Sequence, residues 1–129
     1  MNRLPGYSDA VWSLFQATPH AGAFAPGIAG VITGEARSNA VRAVLQLQLR
    51  LEKGVAADAR FRAYGCPTTI AVGAWLAGWC IGRQPDELRR LTAAQVRAAL
   101  EIPEQRAHCA LLGEDALRAA LRLDGESRS

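Results

Sequence analysis

The sequence predicts an α+β domain, a small antiparallel sheet of about three strands with helices packed on one face. Three observations lead there. Val41, Ala43, Leu45, Leu47, Leu49 and Leu51 are apolar at alternate positions, and a second alternating run follows Lys53-Gly54, the pattern of a half-buried hairpin. The run Pro67 to Gly82 carries no charge, is too short to span a bilayer, and reads as a buried core helix. Helical patterns precede and follow the strands in blocks, the order of helices stacked beside an antiparallel sheet.

Taken in order, Ser8 is placed as an N-cap with Asp9 in the first turn. Val11, Trp12, Leu14 and Phe15 form the stripe of a short helix that stops before Pro19. Residues 21–28 are rich in Gly and Pro and read as loop. Gly30 to Ala36 is a strand candidate, with Arg37-Ser38-Asn39 as its turn. Next comes the long alternating strand, with Arg42, Gln46, Gln48, Arg50 and Glu52 on its wet face, and then the Lys53-Gly54 turn. The following strand points Ala57, Ala59, Phe61 and Ala63 inward and Asp58, Arg60 and Arg62 outward. Arg42, Arg50, Arg60 and Arg62 then share a solvated outer face.

Tyr64-Gly65-Cys66-Pro67-Thr68-Thr69 closes the sheet and opens the uncharged helix. Pro67 suits the first helical position, which makes Cys66 the N-cap. A thiol there sees the positive end of the helix dipole, which favours the thiolate. Trp75 and Trp79, one turn apart, read as core anchors, and Gly82 as the residue that ends the helix at about Ile81. Pro85-Asp86-Glu87 opens another helix, and Thr92-Ala93-Ala94-Gln95 is a capping box for one more, ended by Ile102-Pro103. His108-Cys109 opens the last helix, with Leu112, Ala116, Ala119, Ala120 and Leu123 as its stripe. Residues 1–129 form one domain without repeats, and 1–6 and 125–129 are expected to be flexible.

Half of the 129 residues are apolar and 21% charged, with a net charge of +3, a globular composition. The basic residues are arginines apart from Lys53, and they are scattered among carboxylates. A nucleic-acid binder would need a basic stripe with stacking aromatics, so neither nucleic acid nor membrane is expected as a partner. The N-terminus lacks the apolar core of a secretory signal, and the three cysteines cannot all pair with one another. A cytoplasmic chain with free or metal-ligating thiols follows. There is no Gly-rich phosphate loop, Gly-x-Ser-x-Gly elbow or pair of carboxylates at an obvious cleft, so no enzyme is read here.

The chemical question is what joins Cys66. Cys66 and the pair His108-Cys109 each sit where a helix begins. If the two helix starts converge, two thiolates and an imidazole meet, a set that suits zinc or an iron–sulfur cluster. On spacing alone, plain buried cysteines or a structural site is the stronger reading. Cys80, inside the apolar helix, is read as buried and inert, and His20 is given no role.

The chain resembles the NifU/IscU family of iron–sulfur cluster assembly scaffolds along nearly its whole length. The resemblance rests on Tyr7-Ser8-Asp9-Ala10-Val11 with Pro19 and Gly22-Ala23-Phe24, on Leu47-Gln48-Leu49, on Asp58-Ala59-Arg60-Phe61 with Tyr64-Gly65-Cys66, and on Leu100-Glu101-Ile102-Pro103 with His108-Cys109, Leu112 and Glu114-Asp115-Ala116. It implies a SufE/NifU-like fold and a site where three cysteines, a histidine and an aspartate hold a nascent cluster or a zinc ion. Cys66, Cys109 and His108 match the second and third cysteines and the histidine. The first cysteine and the aspartate fall on Val41 and Ala43, so this is a divergent member with hydrocarbon in their place. Glu35, Ser38 and Asn39 in the adjoining segment are the substitute donors within reach. The family's Pro-Pro-Val-Lys-type segment, read by a specialised Hsp70 chaperone, is Pro103-Glu104-Gln105-Arg106 here, so that chaperone is not an expected partner.

The resemblance therefore implies a scaffold-like protein, a monomer or weak dimer, that holds a labile 2Fe-2S cluster, iron or zinc through Cys66, His108 and Cys109, with a cysteine desulfurase as partner. Two alternatives stand beside it. One is a persulfide acceptor of the SufE kind, which needs a single exposed, acidic thiol. The other is a degenerate regulatory partner of the assembly machinery with no chemistry of its own.

Overall fold

In the computed structural model, residues 6–128 are described, with side chains as far as Arg122. Leu123 and the expected loose ends therefore lie outside the described side chains, except for Gly6. The elements are α1 (Asp9–Ala17), β1 (Val31–Ser38), β2 (Ala43–Glu52), β3 (Val55–Tyr64), α2 (Pro67–Cys80), α3 (Pro85–Leu88), α4 (Ala93–Leu100), a 3-10 turn (Glu104–Arg106) and α5 (Ala107–Arg128). The three strands form one sheet in the order β1-β2-β3, antiparallel throughout. Helix α2 lies over β2 and β3, α5 over β1 and β2, α1 packs on α2, and α4 on α5.

The alternation in β2 sets this arrangement. Ala43, Leu45, Leu47 and Leu49 are buried on one face, where they meet the apolar stripes of α2 and α5. Each such leucine contributes roughly 1.5–3 kcal/mol by leaving water. Helix α5 lies close on β1 because position 34 is glycine; a methyl group there would collide with the backbone of Ala116 and Ala120. Lys53 and Gly54, both at positive φ (53° and 82°), make the tight turn that a right-twisted hairpin favours. Ser8 caps α1 by accepting from the Val11 N–H and donates its own hydroxyl proton to the carbonyl of Leu100.

Four expectations are corrected. The strand β1 runs on to Ser38, and the turn occupies residues 39–42 rather than 37–39. Val41 is thus an exposed turn residue (47% accessible) and not an inward strand position. Arg42 belongs to the same turn, at φ 51°, and not to the strand face. In the hairpin, Arg50 pairs with Asp58 but Leu51 pairs with Ala56, so Ala57 is the extra residue of a bulge. Ala56 takes the buried place expected for Ala57, and the phase is restored at Ala59 and Phe61. Helix α5 is entered through the 3-10 turn, so Ala107 opens it and His108 and Cys109 sit in its first turn.

The fourth correction concerns the outer face of the sheet, which is not simply solvated. The loop after α1 pairs with β3, with the Gly22 N–H donating to Phe61 O (2.9 Å) and the Phe61 N–H to His20 O (3.0 Å). It then crosses the sheet, where the Phe24 N–H donates to Gln48 Oε1 (2.9 Å) and Arg60 stacks over the Phe24 ring at 4.9 Å. Gly82 and Arg83 bond to Ala56 further along the same strand. The free edge of β3 is therefore covered, which removes a template for unwanted strand pairing.

Candidate functional site

Cys66 is the N-cap of α2, in extended backbone geometry (φ −75°, ψ 168°), with Pro67 at the first helical position. Gly65 precedes it at φ 151°, where a side chain is disfavoured. A Cβ at residue 65 would lie 2.9 Å from Thr69 Oγ1 and 3.3 Å from the Ala43 side chain. The glycine thus lets the end of β3 press against the mouth of α2. Trp75 and Trp79 stack further along α2, half-buried against the core, with ring centroids 6.1 Å apart.

The two predicted sulfurs meet. Cys66 Sγ lies 3.8 Å from Cys109 Sγ, and the Thr69 hydroxyl sits between them, 3.4 Å from Cys109 Sγ and 3.7 Å from Cys66 Sγ. Both thiols are free. Cys66 is half-buried, whereas Cys109 and Thr69 are fully buried. The Cys109 S–H beside it brings the Cys66 thiol down to about 4 against the opposing effect of burial, and the N–H groups of Thr68 and Thr69 add to the fall. Cys109 is pushed up, by that same neighbour and by burial. The two sulfurs titrate as a coupled pair, in which the more accessible Cys66 is the member driven toward the thiolate.

His108 is exposed. It borders the cavity beside Cys66, a recess of about 250 Å³ whose walls also include Val41, Ala43, Thr69 and Arg106. It also borders a larger apolar groove of about 670 Å³ between α4 and α5. Of the three sequence-predicted ligands, the fold brings the two sulfurs together and sets the imidazole on the cavity wall. Among the described residues, no group of three His, Cys, Asp or Glu side chains is arranged to hold a metal ion. Val41 and Ala43 both line this cavity, so hydrocarbon stands at its rim. The substitute donors turn elsewhere: Glu35 pairs with Arg37 at 2.8 Å, and Ser38 and Asn39 border a separate recess with Arg42 and Tyr64. Two sulfurs on one tetrahedral ion at about 2.3 Å each stand about 3.8 Å apart, so this pair has the spacing for a shared ion.

Residues 6–123 match the family described as NifU-like N terminal domain. The chain belongs to this family. Similar proteins include the iron-sulfur cluster assembly scaffold protein IscU of Haemophilus influenzae, 31% identical over 89% of this chain and 92% of the relative. IscU of Azotobacter vinelandii is 32% identical, over 90% and 91%. Among solved structures, a NifU-like protein (N-terminal) from Brucella abortus superposes with a TM-score of 0.72 at 21% identity, covering 92% of this chain and 94% of that one. A putative iron-sulfur cluster assembly scaffold protein for the SUF system from Fervidobacterium islandicum gives 0.70 at 17%, covering 89% and 96%. This NifU-like domain thus has the α+β fold that the sequence predicts.

Two residues at the site escaped the sequence reading. Thr69 lies one turn after Cys66, and that helical spacing was the available signal. Arg106 borders the cavity, stacks over the Tyr7 ring at 4.3 Å and donates to Gly6 O (3.1 Å). It ties the start of the chain to the mouth of α5, and nothing local in the sequence announces a contact of such range. Cys80 is buried in the core, and burial pushes its thiol up to about 12. Among the described residues, no helix is long and apolar enough to cross a membrane.

Proposed function

We propose that this chain works in iron–sulfur cluster assembly as a scaffold-like protein that receives iron, zinc or a 2Fe-2S cluster as labile cargo. Cys66 and Cys109 supply the sulfur ligands and His108 the third donor. The observation that carries this reading is the 3.8 Å separation of the two sulfurs at adjoining helix mouths. The similarity to IscU, an iron-sulfur cluster assembly scaffold protein, supports it. With Val41 and Ala43 at the rim, a fourth position falls to solvent or an exogenous ligand, so the cargo is held weakly. Anaerobic reconstitution with ferrous iron and sulfide should give a visible chromophore, lost in Cys66→Ser and in Cys109→Ser. A colourless wild-type protein that also takes up no zinc would overturn the reading.

A second reading is favoured by the half-buried position of Cys66 and its depressed thiol. The chain accepts persulfide sulfur from a cysteine desulfurase, its partner in the same pathway, and Cys66 is the acceptor. Mass spectrometry of the Cys109→Ser variant after incubation with a desulfurase and cysteine should find one added sulfur on the peptide containing Cys66.

A further inference from the structure

We infer that Cys66 and Cys109 form a sulfide-releasing pair, in which a persulfide carried on Cys66 is resolved by the Cys109 thiol. This rests on the sulfur-accepting reading above and adds how the sulfur leaves. The step balances as follows. The Cys66 persulfide, Sγ–S–H, is attacked at Sγ by the sulfur of Cys109. A Cys66–Cys109 disulfide forms, the Sγ–S bond breaks, and the terminal sulfur departs with the proton of Cys109 as hydrogen sulfide. The two protein sulfurs are oxidised to the disulfide level, and the sulfane sulfur is reduced to sulfide. A dithiol reductant reopens the disulfide for the next cycle.

Five features of the site support this course. The attacking sulfur already touches its target, with the two Sγ atoms 3.8 Å apart. A bond between them needs a closure to about 2.05 Å. The two thiols differ in access. Cys66 borders the cavity, whereas Cys109 is fully buried, so an external donor loads the first and leaves the second free to resolve it. Cys66 also lines the recess of about 250 Å³, whereas Cys109 is buried behind it. That recess has room for the terminal sulfur and for the leaving sulfide. The Thr69 hydroxyl touches both sulfurs and can relay the Cys109 proton toward the departing sulfide. Finally, no third cysteine exists in the sequence at this mouth to share the sulfur.

The test is a single turnover without added reductant. The reduced protein is mixed anaerobically with a purified cysteine desulfurase and one equivalent of L-cysteine. Released sulfide is assayed, and the protein is read by intact mass and peptide mapping. Wild type should release close to one sulfide per chain and become lighter by two hydrogens, with its Cys66 and Cys109 peptides linked. Cys109→Ser should instead become one sulfur heavier at Cys66, with sulfide release reduced at least about tenfold. If Cys109→Ser holds the extra sulfur but wild type also keeps it and shows no linked peptide, the inference falls while the accepting role stands. If neither protein gains sulfur or releases sulfide, the accepting role falls and takes the inference with it. The linked peptide of the wild type needs no variant, so a misfolded substitution cannot mask the answer.

Discussion

Cys66 and Cys80 lie on the same helix, one at each end, and differ in almost every chemical respect. Cys66 caps the N-terminus, half-buried beside a cavity, with its thiol brought down to about 4. Cys80 closes the C-terminus inside the core, with its thiol pushed up to about 12. The residue type is constant, so the difference comes from position. One sulfur has a hydrogen-bonding thiol and free helix N–H groups for neighbours, and the other has hydrocarbon.

The largest effect expected from this contrast is kinetic. At pH 6, iodoacetamide should label Cys66 at least about 1,000-fold faster than Cys80, because only the first is a reachable thiolate. Labelling of Cys66 should hold its rate as the pH is lowered toward 5, where an ordinary thiol has become unreactive. Peptide mapping of a labelling time course measures both, and comparable rates at the two sites would erase the distinction.

Stability should divide the same way. Cys80→Ser places a hydroxyl in the apolar core and should cost about 1–3 kcal/mol. Cys66→Ser keeps a good capping residue at a helix start and, at a pH below about 4 where the thiolate is lost, should cost under about 1 kcal/mol. The pH dependences run in opposite directions. Cys66 has a folded value below its unfolded one. Its contribution is present above the ordinary thiol range, near 8.5, and is lost as the pH falls through about 4. Cys80 has a raised folded value. Its contribution is present below the ordinary range and is lost as the pH rises through about 12. Urea unfolding of the wild type and both serine variants across pH checks magnitudes and signs together.

The two regions were not equally legible from the sequence. The alternation in β2, the Lys53-Gly54 turn, the proline-opened α2 and its glycine stop are local signals, and each local physical rule was obeyed. Burial of Cys80 follows from an uncharged helix alone. The bulge at Ala57 was invisible because alternation carries no mark where a strand gains a residue. The turn at 39–42 was misplaced because Val41 continues the apolar phase of β2 into a segment that is no longer strand. The strap of residues 20–24 across the sheet depends on backbone bonds to β3 and on Gln48, which no short window shows. At the site, the helix starts were readable one by one, whereas their meeting at 3.8 Å is a product of α2 and α5 packing on one sheet face.

A third test sharpens the contrast by adding chemistry to the open end of α2. Val41 is exposed and lines the cavity beside Cys66. Val41→Cys would place a third thiol at that rim. Zinc affinity should rise at least about tenfold, equivalent to about 1.4 kcal/mol, measured by competition with a chromophoric chelator. An unchanged affinity would mean that the turn at 39–42 holds residue 41 out of reach of the two sulfurs.

The smallest expected effect separates holding a helix from arming it. Ser8 and Cys66 are both N-caps. The hydroxyl of Ser8 accepts from the Val11 N–H and donates to Leu100 O, so it ties α1 to the end of α4. Its work is structural, and Ser8→Ala should cost about 1 kcal/mol, the usual loss for an oxygen cap. The contacts of Cys66 are with Cys109 and Thr69, which lie at the mouth of α5 and in the first turn of α2. Ser8→Ala should therefore lower the urea midpoint and leave the iodoacetamide labelling rate of Cys66 unchanged. Cys66→Ser should abolish fast labelling, and it should lower the midpoint less as the pH falls toward 4. If Ser8→Ala slowed labelling as well, the anchoring of the N-terminal segment through Arg106 would have to be counted among the supports of the sulfur pair. In that case the division between structural and reactive caps would not hold.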